Sequence, residues 1–182
     1  PTQALADGPK DNHPEDVRRV PRLGIEVPDQ ERRELESKLG QLSERIAELQ
    51  KSQSPGTAAL LPDVQIFHRA VDVALKYQEF FSPRDVRSAG SLLEEGLRRA
   101  EQLLAGESPW TSQTGLVVRG YVSRIDGTVQ PYGLVVPDSY VSVGAARHRL
   151  ERWFHGRGET LSEVNFIHQR MNQVGRYAPA GA

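Results

Sequence analysis

The apolar pattern changes period once, near Trp110, and that change limits what the chain can fold into. Upstream, apolar residues recur at the spacing of a helix, roughly 3.6 residues per turn; downstream they alternate with a period of about 2, which suits a strand with one buried face. Helices first and strands after predict an α+β chain rather than an alternating βαβ one. Aromatic and β-branched residues gather on the downstream side, whereas prolines and charges crowd into the first third.

Pro1, Pro9, Pro14, Pro21 and Pro28 punctuate residues 1–28, so this stretch is expected to be an extended tail. A helical region is expected over residues 29–107. Asp29 is the expected N-cap of its first helix, and Leu35, Leu39, Leu42, Ile46 and Leu49 form a single stripe along it. The stripe is narrow and covers only about two heptads, so packing on its own chain is favoured over a dimer zipper. Ser52 to Gly56 read as a linker. A second helix is expected from Pro62 and Asp63, burying Val64, Phe67, Val71, Ala74, Leu75 and Phe80 and stopping before Pro83. A third is expected from Asp85 or Ser88 to Ala105, burying Leu92, Leu93, Leu97, Ala100, Leu103 and Leu104, with Gly106 as its C-cap glycine. His68 has no second ligand at metal spacing and reads as a packing or surface residue.

In residues 108–182, Leu116, Val118, Gly120 and Val122 alternate with Val117, Arg119, Tyr121 and Ser123, the pattern of a half-buried strand. Asp126-Gly127 favours a hairpin turn, and the returning strand is expected over residues 128–136, where Pro131 and Gly133 suggest an edge or a bulge. A third strand is expected over residues 147–154. Arg147, Arg149 and Arg152, with Arg119 and Arg124, read as a charged, solvated strand face, and His148 as a surface residue.

His155-Gly156-Arg157-Gly158-Glu159-Thr160 joins that expected strand to a further helix, whose start is signalled by Thr160-Leu161-Ser162-Glu163, a capping-box pattern. Gly156 and Gly158 permit backbone that a side chain would forbid. Two readings are open on local chemistry: an ordinary strand-to-helix turn, or a set of backbone N–H groups beside a helix N-terminus, aimed at a developing negative charge. His155, Glu159, Glu163 and His168 match no metal motif, so no metal or cofactor is expected.

The stretches Thr114 to Ser123, Ile125 to Pro137 and His155 to Glu163 resemble the amino-terminal part of prolyl-oligopeptidase-like serine hydrolases of environmental bacteria, within the α/β-hydrolase superfamily. Pro62 to His68 and Ser108 to Thr111 resemble the helical extension of the same proteins, so the likeness covers most of the chain. It implies an incomplete α/β-hydrolase fold: a helical extension over residues 29–107, then the opening hairpin, third strand and first helix of the catalytic domain over 108–182. It also implies esterase or peptidase chemistry on a small ester or peptide, with His155, Gly156, Arg157 and Gly158 as the oxyanion loop and Arg157 near the substrate. The compartment stays open, although proteins of this type often carry export signals.

The departure from that family is the absence of a G-x-S-x-G nucleophile elbow with an acid and a histidine after it. Gly106-Glu107-Ser108-Pro109-Trp110 is the nearest approach, and it lacks the final glycine. No triad residue is therefore expected within this chain, and the sheet is expected to be unfinished and prone to self-association, through its edge or through the helix over residues 29–50. The chain carries 23 Lys and Arg against 24 Asp and Glu, a near-neutral balance that argues against a nucleic-acid partner. Without cysteine it has no thiol nucleophile, and no apolar run approaches the roughly 20 residues of a membrane span. The reading of a different class is a non-catalytic helical interaction module with a small sheet.

Overall fold

A computed structural model describes residues 22–52, 54–140, 149–152, 154, 156 and 158–173. Residues 1–21 of the expected tail lie outside the described residues. The rest is a mixed α+β structure. In chain order it has α1 (Asp29–Lys51), α2 (Pro55–Leu60), α3 (Pro62–Tyr77), α4 (Pro83–Leu104), a 3-10 turn (Pro109–Thr111), β1 (Gly115–Val122), β2 (Val129–Val136) and α5 (Glu163–Asn172).

Leu35, Leu42, Ile46 and Leu49 of α1 are buried against α3 and α4 of the same chain. Close approach is possible because α4 carries Gly96 at the crossing, where a Cβ would fall 2.7 Å from Leu42 Cδ2 and 2.9 Å from Phe67 Cβ. Asp29 is not the N-cap; Pro28 holds that position and Asp29 sits in the first turn, where its charge still suits the helix dipole. The expected linker is also corrected, because Pro55 starts the short helix α2: a proline at the first helical position loses no bond that the helix would have made.

α3 buries Val64, Phe67, Val71 and Ala74 as expected, with Ile66 and Ala70 in addition. It ends at Gln78, whose φ of 55° is left-handed, so the buried Phe80 belongs to the turn beyond the helix. The tail expectation changes here. Gly24 N–H donates to Gln78 O at 2.7 Å and Ile25 N–H to Phe80 O at 2.6 Å, while Val27 is buried. Only glycine fits at position 24, since a Cβ would lie 2.1 Å from Phe80 O. α4 starts earlier than expected, at Pro83, because the Asp85 carboxylate accepts from Phe81 N–H at 2.8 Å and Ser82 N–H at 3.0 Å. Leu104 is exposed rather than buried, and Gly106 ends the helix with a φ of 82°.

β1 and β2 form a two-stranded antiparallel sheet that pairs Gly115 with Val136 and Val122 with Val129. Ser123 N–H donates to Thr128 O at 2.8 Å just beyond the ladder, so the odd-numbered residues of β1 face β2 and the even-numbered ones point their backbone groups outward. Pro131 lies opposite Gly120, which puts its missing N–H on the outer side where the ladder does not need it. Gly127 takes a φ of 72° in the turn, and hydrogen bonds from Ser123 and then Thr128 hold the Asp126 carboxyl below its ordinary range.

Among the described residues the expected third strand is not found. Residues 149–152 and 154 belong to no strand, and Arg147, His148 and Trp153 lie outside the described residues. Leu150 and Phe154 are 71% and 87% exposed and Arg149 pairs with Glu151 in solvent, so the described residues of this stretch have neither a ladder partner nor a buried face. α5 packs Val164 and Ile167 into a single apolar cluster that runs from Val27 through the helices to Val117 and Val118 of β1. Among the described residues no helix is long and apolar enough to cross a membrane.

Candidate functional site

The segment entering α5 is built from one tight turn and one cap. Leu161 N–H donates to Gly158 O at 3.2 Å, closing a turn over Glu159 and Thr160. Ser162 is the N-cap: its backbone is extended and its Oγ accepts from Asn165 N–H at 3.3 Å, while Asn165 Nδ2 donates to Thr160 O at 3.3 Å. This corrects the expected capping box, because the hydroxyl that caps is two residues beyond Thr160. Glu163 does not reach back either. One carboxylate oxygen accepts from Arg69 of α3, and the other is buried with no hydrogen-bond partner among the described residues. The pair fastens the first turn of α5 to the helical layer.

Of the four expected loop residues, Gly156 and Gly158 are described, and His155 and Arg157 lie outside the described residues. The described glycines with positive φ are Gly106, Gly115 and Gly127. A Cβ on Gly156 would meet no described atom within 4 Å, and one on Gly158 would meet only Leu161 Cβ at 4.0 Å.

That segment borders a shallow polar groove of about 340 Å³ between the first turns of α4 and α5, lined by Arg84, Asp85 and Ser88 on one side and Thr160, Asn165 and His168 on the other. His168 also borders a second depression of about 380 Å³ farther along the same helix pair, beside Glu94, Arg98 and Met171. Among the described residues no group of three His, Asp or Glu side chains is placed to hold a metal. His68, half-buried on α3, has its pKa pushed down by burial, with Asp72 opposing the shift.

The densest polar arrangement lies elsewhere, at the junction of α3, α4 and β1. Asp63 is 1% exposed and accepts from Trp110 Nε1 at 2.9 Å, Arg119 Nε at 2.6 Å and Gly120 N–H at 2.6 Å. Arg99, 3% exposed, donates to Val118 O and Glu95, and its guanidinium lies about 5 Å from the centres of the Phe67 and Trp110 rings. Burial pushes the Arg99 pKa below its ordinary value, and Glu95 and Asp63 work against that. Arg119 therefore does not belong to a solvated basic face. Sequence reasoning missed this cluster because, apart from the local Arg99–Glu95 pair, its hydrogen bonds join residues 19 to 57 positions apart, beyond the reach of any local period. The one signal available was Asp63 itself, a carboxylate inside an apolar stripe that had been assigned to a helix start.

A comparison with protein-family models, with curated proteins and with solved structures finds no match for the chain.

Proposed function

We propose that the chain is the amino-terminal portion of a prolyl-oligopeptidase-like serine hydrolase, in which a helical extension supports the opening hairpin and first helix of an α/β-hydrolase domain. The single observation that favours this reading is the arrangement around α5. An antiparallel hairpin is followed by Gly158, where a Cβ would meet no described atom closer than Leu161 Cβ at 4.0 Å, and then by a Ser162-capped helix that packs against the hairpin. Backbone next to a capped helix N-terminus suits an acyl oxygen that gains negative charge, because the helix dipole and the amide hydrogens act together there. In this role His155 orders the loop, Arg157 contacts the carboxylate or carbonyl of a small ester or peptide, and the serine, acid and histidine come from residues outside this sequence.

The test has two parts. Reading the parent coding frame past Ala182 should reveal a strand followed by G-x-S-x-G, and a stop codon there would overturn the proposal. In the polypeptide that includes that elbow, Gly158→Val should lower kcat for a p-nitrophenyl ester by about 100-fold with KM changed far less, as loss of transition-state stabilisation requires. An unchanged kcat would transfer the loop to the class of ordinary turns, and with it favour the non-catalytic interaction module.

A further inference from the structure

We infer that Asp63 and Arg99 form an edge lock: their side chains take the place of a neighbouring strand on β1 and deny that edge to a second copy of this chain. A strand at the rim of a sheet displays outward N–H and C=O groups that template pairing with another chain. On β1 these belong to the even-numbered residues, and the central ones in succession are the Val118 carbonyl and the Gly120 amide. Both are occupied. Arg99 donates to Val118 O at 2.8 Å, and Asp63 Oδ1 accepts from Gly120 N–H at 2.6 Å, so the pair supplies one donor and one acceptor as a strand neighbour would.

Sterics reinforce the chemistry. Pro62 O lies 2.2 Å from where a Cβ on Gly120 would sit, so the start of α3 rests directly on the middle of the strand, and only a glycine lets it approach that closely. The two locking groups are themselves held. Asp63 is oriented by Trp110 and Arg119, and Arg99 by Glu95 and the faces of Phe67 and Trp110. The lock thus assigns the helical layer a task separate from catalysis. It operates whether or not the hydrolase reading is correct.

The experiment uses the full chain. Amide hydrogen exchange in the wild-type protein should be at least about 100-fold slower at Gly120 than at Val122, whose N–H points to the same side at the strand end without a partner among the described residues. Equal rates would overturn the inference. In Asp63→Asn, which keeps the shape but turns one acceptor into a donor facing other donors, the ratio should collapse to under about tenfold and light scattering should show a mass above that of wild type, rising with concentration. A variant with wild-type circular dichroism and wild-type mass over the same concentration range would also overturn it. If Asp63→Asn does not fold, the wild-type exchange ratio decides alone.

Discussion

The cluster around Asp63 and the stretch that leads from β2 toward α5 draw on similar residue types and use them in opposite ways. In the first, Asp63, Arg99 and Trp110 are buried and Arg119 is partly buried, and Asp63 alone accepts three hydrogen bonds. In the second, Arg149 and Glu151 pair in solvent while Leu150 and Phe154 stand exposed beside them. Buried charges persist only where each is paired and hydrogen-bonded, so the first arrangement specifies how the helical layer meets the sheet. Exposed ion pairs contribute little, and exposed leucine and phenylalanine gain nothing from the chain they belong to. The contrast separates a junction that the described fold completes from residues 149–152 and 154, which it leaves exposed.

The largest expected effect tests the first half of this contrast. Asp63→Ala removes the shared acceptor of three donors and leaves Arg99 with one opposing charge fewer, so it should destabilise the chain by about 3–5 kcal/mol, the usual cost of breaking a buried ion pair from one side. A urea titration followed by Trp110 fluorescence measures it. A loss below about 1 kcal/mol would mean that water substitutes for the carboxylate and that the junction is not sealed.

How much of this was legible beforehand differs by element. α1, α3 and α4 could be read because their stripes of Leu and Val repeat within a few residues, and the hairpin because its alternation and Asp126-Gly127 are also local. The start of α3 at Pro62 is legible, whereas the starts of α1, α4 and α5 differ from expectation by one to several residues. Pro55 and Pro83 look like breakers in sequence, yet each opens a helix, because proline at the first helical position is compatible with it. The docking of Gly24 and Ile25 on the turn after α3 left no periodic trace, because it consists of two backbone hydrogen bonds across more than fifty positions. At the candidate site, a helix is legible but its first residue and cap are not, since Thr160 and Ser162 are both good caps and the sequence alone does not choose between them.

That choice gives the intermediate prediction. Ser162→Ala should cost about 1 kcal/mol and Thr160→Ala markedly less, because Ser162 Oγ accepts from Asn165 N–H whereas only the Thr160 carbonyl, which alanine retains, is used. Thermal unfolding of both variants checks it. The reverse order would return the cap to Thr160 and place the helix start two residues earlier, which would also redirect Glu163 away from Arg69.

The smallest effect on stability is expected at the other end of the comparison. Leu150→Ser with Phe154→Ser removes two large apolar side chains that are 71% and 87% exposed, so the unfolding free energy should change by no more than about 0.5 kcal/mol. Solubility should rise, since neither side chain is sheltered by the described fold and both are available for non-specific association. Equilibrium unfolding and the saturation concentration of the double variant measure the two quantities separately. A loss of several kcal/mol would show that these residues are buried in the molecule in solution. The stretch before α5 would then resemble the Asp63 junction, with its apolar side chains supporting the fold instead of standing outside it.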